Sequence, residues 1–202
     1  MRIYVLRHGQ SEANLQVAHA GWSHVPLTEK GLAQARAAAA RMHEVHYDKV
    51  IVSDLHRAIQ TAQCALPDYT YEMDWRIREL GVGNLEGRKV ADCLREMGEP
   101  YDRNFILRDF TDYDGENLEQ MQKRVSEFMD DLTKEPEDAR IAVVCHEGTM
   151  YCMLCHVMQS KLPYLAAFAD NCSVCVFTYK GGHWLLNKWN ETSSIEPEAS
   201  SK

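Results

Sequence analysis

The chain has 202 residues, with 30 acidic against 22 basic side chains and a net charge of −8. That balance excludes a general nucleic-acid or acidic-membrane binder, because both need basic fields. No run approaches the ~18 apolar residues of a membrane span, and no signal peptide is seen ahead of the first strand, so a cytoplasmic location is expected.

The first element is the apolar run Ile3-Tyr4-Val5-Leu6, cut off by Arg7-His8-Gly9-Gln10-Ser11. A short run of β-branched and aromatic residues stopped by glycine reads as a strand buried on both faces. In open α/β sheets ligands lie beyond the carboxyl ends of such strands, where Arg7 and His8 fall. A neutral imidazole is a competent nucleophile near pH 7, and a guanidinium offers a fork of donors matched to phosphate oxygens. Together they point to covalent phosphoryl transfer through histidine.

Thr28-Glu29-Lys30-Gly31 opens an Ala-rich helix that runs to about Met42. Val50-Ile51-Val52 is a second strand, and Ser53 or Asp54 is expected to cap a helix over about 55–66. Arg57 lies in that helix's first turn, where unpaired N–H groups and the macrodipole attract anions, and so forms a second arm of a phosphate clamp. Thr70–Met73 reads as a short strand. Residues 79–116 carry Gly81, Gly83, Gly87, Gly98, Pro100 and Gly115, with one helix near 89–97, and read as a lid inserted over the strand ends. From Asn117 to Thr133 the positions Leu118, Met121, Val125, Phe128, Met129 and Leu132 recur at helical spacing and belong to the core.

Ile141-Ala142-Val143-Val144-Cys145 repeats the opening pattern, ending in His146-Glu147-Gly148 before a helix at 148–158. Two histidines in matching strand-end contexts are harder to assign to packing than one. Residues 172–179 and 184–189 flank Lys180-Gly181-Gly182-His183 as a hairpin. The expected architecture is α/β, with a mostly parallel central sheet and helices on both faces. One domain spans 1–191 with the lid inserted, and the Ser-, Glu- and Pro-rich tail 192–202 is expected to be disordered.

These residues resemble the histidine phosphatase superfamily, also called phosphoglycerate-mutase-like, over most of residues 1–190. Leu6-Arg7-His8-Gly9-Gln10-Ser11 with Asn14 resembles its nucleophile motif; Ser53, Leu55, Arg57, Ala58 and Thr61 its second arginine motif; and His146-Glu147-Gly148 its second histidine motif. Glu79, followed by Gly83, Leu85, Glu86 and Gly87, is similar to its acid motif. Gly115-Glu116-Asn117 and Asn171-Cys172-Ser173-Val174 resemble two later family segments.

The resemblance implies a three-layer sandwich in which His8 takes up the phosphoryl group and Arg7, Arg57 and His146 surround it. Asn14 would hydrogen-bond one oxygen, Gln10, Ser11 and Gly148 would join the substrate-binding set, and Trp22 would reach the pocket from a loop that also carries His24. Glu79 would act as general acid and base. No metal and no cofactor are expected, the partner is a small phosphorylated metabolite, and oligomeric state is not indicated. Sugar phosphates, phosphoglycerates, nucleotide-derived phosphates and cobalamin-pathway phosphates are the implied candidates. Mutases of the superfamily carry a longer insertion with adjacent arginines for the substrate carboxylate; here Arg103 and Arg108 are separated, so a phosphatase is expected ahead of a mutase. Two residues depart from the pattern: Gln10 stands where Glu is commoner. Glu147 stands where the family often has Gly, and must point away from the phosphate or select against some anions.

Cys152-x-x-Cys155 and Cys172-x-x-Cys175 have a four-thiolate zinc spacing, which keeps a zinc-stabilised or non-catalytic phosphate-binding module as a third reading. The first pair, however, lies in an apolar helical stretch and the second in a strand, where positions three apart face opposite sides. Buried free thiols are the expected state.

Overall fold

The computed structural model describes residues 1–161, 167–193 and 195. Side-chain alternation along the strands divides the core in two. In β1 (Arg2–Arg7), Ile3 and Val5 enter one hydrophobic cluster while Tyr4 and Leu6 enter the other. The same split recurs in β2 (Lys49–Val52) and β4 (Arg140–Cys145), whose Ile51, Ile141 and Val143 face the first cluster and Val50, Val52, Ala142 and Val144 the second. Such strands are buried on both faces, as their unbroken apolar runs indicate. With β3 (Glu72–Met73), β5 (Val174–Lys180) and β6 (His183–Glu191) they form one sheet in the order β3-β2-β4-β1-β5-β6. The first four in that order run parallel, and β5 and β6 form an antiparallel hairpin on β1.

Helices cover both faces. The short α1 (Glu12–Gln16) follows β1; α2 (Glu29–Met42) and α3 (His56–Ala65) supply Ala35, Ala38, Met42, Ala58, Ala62 and Ala65 to the second cluster. Residues 79–116 carry α4 (Val90–Met97) and α5 (Glu99–Leu107), and the first cluster is closed by α6 (Leu118–Leu132) and α7 (Glu147–Met158). Helix α5 departs from the sequence pattern, in which Gly98 and Pro100 read as loop. Pro100 instead sits in the helix's first turn, where a missing N–H costs nothing.

Thr28 caps α2 as expected, accepting the Gly31 N–H at 3.0 Å. The expected cap of α3 is not formed: its N-cap is Leu55, with no side-chain cap. Ser53 and Asp54 are engaged elsewhere, with His146 and Arg78. Helix α5 and Phe110 pack on His19, whose Nε2 lies 2.6 Å from the Tyr101 hydroxyl and whose ring stands edge-on to Tyr101, Phe105 and Phe110.

Cys152, Cys155 and Cys175 belong to one core cluster and Cys172 to the other, across the sheet. Among the described residues no three His, Cys, Asp or Glu side chains come together as metal ligands. Burial pushes the Cys172 and Cys175 thiols up to about 12. Among the described residues no helix is long and apolar enough to cross a membrane. Of the expected tail, 194 and 196–202 lie outside the described residues; Ile195 is buried in the second cluster, its N–H donated to Glu44.

Candidate active site

Strand register brings the two histidines together. β1 and β4 are parallel neighbours with Arg7 opposite Cys145, and the His8 N–H continues the ladder to the Cys145 carbonyl at 3.0 Å. Residues one step further, His8 and His146, must then stand side by side at about the spacing of adjacent strands, ~4.8 Å. Their ring centroids are 5.1 Å apart.

Nδ1 of His8 is 2.7 Å from the Gly9 carbonyl. A carbonyl only accepts, so Nδ1 carries the proton and Nε2 keeps its lone pair. Burial, with Arg57 and Arg7 nearby, holds the His8 pKa well below 6.5. The imidazole is therefore neutral at pH 7, with its lone pair at Nε2. The Thr61 hydroxyl accepts the Gly9 N–H and Asn171 donates to the His8 carbonyl. A Cβ at Gly31 would stand 2.0 Å from the Gln10 carbonyl oxygen, so α2 can press against this turn only with glycine there. His146 is likewise kept neutral by burial and by Arg57, with Nε2 2.8 Å from the Ser53 hydroxyl.

Two guanidiniums flank the imidazoles. Arg57 is fully buried, donating to the Ser23 and Gly21 carbonyls at 3.0 and 2.9 Å; burial lowers its pKa to about 10, so it stays cationic. Arg7 donates to the Ala169 carbonyl and to Glu147, at 2.9 Å for the latter. Among the described residues Arg7 Nε, Arg57 Nε and His146 Nδ1 are buried without a partner. Buried polar nitrogens rarely go unsatisfied, and two guanidinium nitrogens with an imidazole beside the neutral His8 ring make a donor set suited to a phosphoryl group.

Glu79 enters from the loop after β3. Its carboxylate accepts the Leu80 N–H at 2.8 Å and the Gly148 N–H at 3.2 Å, the latter in the first turn of α7. A Cβ at residue 148 would fall 2.1 Å from Glu79 Oε1, so glycine there makes room for the carboxylate. Glu79 pairs with neither Arg76 nor Arg78: Arg76 is held by Asp74 and Asp131, and Arg78 by Asp54.

The brace behind Glu79 had no place in the sequence reading. Arg124 of α6 donates to the carbonyls of Arg76, Arg78 and Glu79 and pairs with both oxygens of Glu116. The Thr149 hydroxyl donates to the Ile77 and Arg78 carbonyls. One signal was present: position 124 falls among the apolar positions 121, 125 and 128, where a cation needs a buried partner.

The expected substrate-binding residues divide. Gly148 lies at Glu79, as above. Ser11 caps α1 in a capping box with Asn14, whose Oδ1 accepts from Ser11; Asn14 Nδ2 makes no bond among the described residues. Gln10 is tied to Thr28 at 3.0 Å. Trp22 donates its indole N–H to the Glu79 carbonyl, with Arg78 over its ring, so its contacts brace the acid loop. His24 is exposed. Glu147 points at Arg7, and burial raises its pKa.

Comparison with known proteins agrees with this geometry. The family model described as "Histidine phosphatase superfamily (branch 1)" matches residues 3–192. The chain belongs to this superfamily. A curated relative, "Probable phosphoglycerate mutase GpmB" from Enterobacter sp. (strain 638), is 32% identical over 199 residues, covering 94% of this chain and 90% of its own. Among solved structures, a mycobacterial glucosyl-3-phosphoglycerate phosphatase in complex with VO3 is 25% identical with a TM-score of 0.82, covering 95% of this chain and 99% of that one. The α-ribazole phosphatase from Shigella flexneri, at 23% identity and a TM-score of 0.89, covers 98% and 100% and shares the fold. Superfamily members of both phosphatase and mutase type thus surround this chain.

Proposed function

We propose that the protein is a phosphomonoesterase acting on a small phosphorylated metabolite through a phosphohistidine on His8. The observation that carries this reading is the His8 tautomer: Nδ1–H is committed to the Gly9 carbonyl, leaving an unprotonated Nε2 among Arg7, Arg57 and His146. In the first step the Nε2 lone pair forms the N–P bond as the ester P–O bond breaks, and the Glu79 carboxylic acid gives its proton to the leaving oxygen. In the second, water attacks phosphorus, the N–P bond returns its electrons to Nε2, and the Glu79 carboxylate takes the water's proton. The guanidiniums and His146 meet the charge on the equatorial oxygens throughout. Glu79, fastened at the α7 N-terminus by the Gly148 N–H, is the supporting candidate for the proton.

The mutase reading draws on the names of the curated relatives. It needs a cationic grip for a substrate carboxylate, and Arg103 and Arg108 do not form the adjacent pair that mutases of the superfamily use. A panel of phosphometabolites, assayed for free phosphate with and without 2,3-bisphosphoglycerate, separates the two. The phosphatase reading expects phosphate release that is abolished in His8→Ala and independent of the bisphosphate. Isomerised phosphoglycerate without free phosphate would replace it with the mutase.

A further inference from the structure

We propose that Glu147 determines substrate specificity. It sets a fixed negative charge at the rim of the phosphate pocket and so directs the enzyme to phosphomonoesters of uncharged or amine-bearing alcohols, against those carrying a second anion beside the phosphate. This rests on the phosphatase reading above.

Glu147 is the first residue of α7 and binds Arg7 Nη2 at 2.9 Å, with its side chain 26% exposed against 8% for Arg7. Arg7 is itself anchored, donating to the Ala169 carbonyl as well as to Glu147. The carboxylate is thus built into the rim. An alcohol leaving from phosphorus must lie within reach of Glu79, and Glu79 is bonded to Gly148 N–H, one residue from Glu147. The alcohol portion of the substrate therefore emerges beside two carboxylates.

The nearby cations do not answer a second anion. Arg7 and Arg57 are needed by the phosphate. Arg78 is paired with Asp54, Arg124 with Glu116 and Arg88 with Glu96, while the Arg108 guanidinium lies over the Phe105 ring, 4.3 Å from its centroid. A carboxylate or second phosphate on the alcohol meets uncompensated repulsion; a neutral chain meets none, and an ammonium group meets attraction. One unit charge beside the alcohol in a site a quarter exposed corresponds to on the order of tenfold in kcat/KM.

The test compares 2-aminoethyl phosphate, 2-hydroxyethyl phosphate and phosphoglycolate, matched in size, on the wild type, Glu147→Gln and Glu147→Ala at alkaline pH. The wild type is expected to favour the first two over phosphoglycolate by about tenfold or more. Both variants should narrow the amine-to-carboxylate ratio by about tenfold, with the hydroxyethyl ester absorbing any general loss from a displaced Arg7. A ratio unchanged in the variants overturns the proposal. So does a wild type that handles phosphoglycolate as well as the amine ester, which decides the matter even if neither variant folds. Absence of phosphate release from all three esters and from p-nitrophenyl phosphate would sink the phosphatase reading and this proposal together; turnover with a flat or inverted ratio sinks this proposal alone.

Discussion

The strand-end clamp and the acid loop meet at one pocket but are held by different means. His8, His146 and Arg57 stand at positions set by sheet register and helix starts, buried to 3% exposure or less. Glu79 sits on a loop with no ladder of its own, fixed because Arg124, Thr149 and Trp22 take up the carbonyls of residues 76–79. The placement of the two histidines and Arg57 is a consequence of the fold, whereas that of Glu79, the proposed acid, depends on side chains brought from α6, α7 and the 20–27 loop. A loop can be made nearly as fixed as a sheet edge when its backbone acceptors are all claimed by buried donors.

The comparison breaks most sharply by leaving-group chemistry. Glu79→Gln keeps the side chain's shape and removes the proton, so hydrolysis of alkyl phosphates should fall by roughly two to four powers of ten. p-Nitrophenyl phosphate, whose leaving group needs little protonation, should suffer much less. Gly148→Ala, which puts a methyl group where the Glu79 carboxylate lies, should show the same split. Arg57→Ala should lose about two to three powers of ten on both substrate types alike, as removal of a transition-state donor does. Equal losses on both esters in Glu79→Gln would show that Glu79 positions or binds substrate, and the proton donor would have to be sought at Glu86, Glu147 or Glu12.

The brace itself can be removed. Arg124→Met leaves the half-buried Glu116 without its ion-pair partner, and breaking such a pair costs up to about 3–5 kcal/mol. Thermal unfolding should occur at lower temperature, and the surviving folded enzyme should show the Glu79→Gln pattern across the two esters. A variant as stable as wild type would mean that the loop is held without Arg124.

These contrasts follow what could and could not be read from the residues. The strands at 3–6, 50–52 and 141–144 were legible because each is an apolar run ended by a polar or glycine-bearing turn, and strand ends in such sheets face the ligand. Arg57 was legible for its place in a first helical turn. Ser53 was not: it looks like a cap, but β2 lies next to β4, and that neighbour relation turns its hydroxyl to His146. Arg124 is not legible, because apolar spacing alone defines α6. The Trp22 and Gln10 side chains carried the family pattern but gave no sign of their partners, which lie 57 and 18 residues away.

A smaller effect separates the regions by pH. Folding holds His8 and His146 well below 6.5 and His19 at about 4. Above pH 6.5 these groups are neutral in both states and stability is unaffected. Below it the unfolded chain binds protons that the folded one refuses, so stability falls by up to about 1.4 kcal/mol per pH unit for each histidine. The His19 share ceases near pH 4, where the folded state itself titrates. Denaturant midpoints should be level between pH 7 and 8 and fall below pH 6; His8→Asn should make that decline shallower. The smallest change expected is Gln10→Ala, which removes one neutral hydrogen bond to Thr28, about 1 kcal/mol, with turnover of both esters retained.

The proposed chemistry turns on where the phosphoryl group goes. Rapid mixing of the enzyme with p-nitrophenyl phosphate, quenching without acid, and peptide mass spectrometry with 31P NMR should find one phosphoryl group on the peptide containing His8, bonded at Nε2 because Nδ1–H is held by the Gly9 carbonyl. Phosphate on His146, the Nδ1 isomer on His8, or turnover by His8→Ala with no phosphorylated peptide would contradict it.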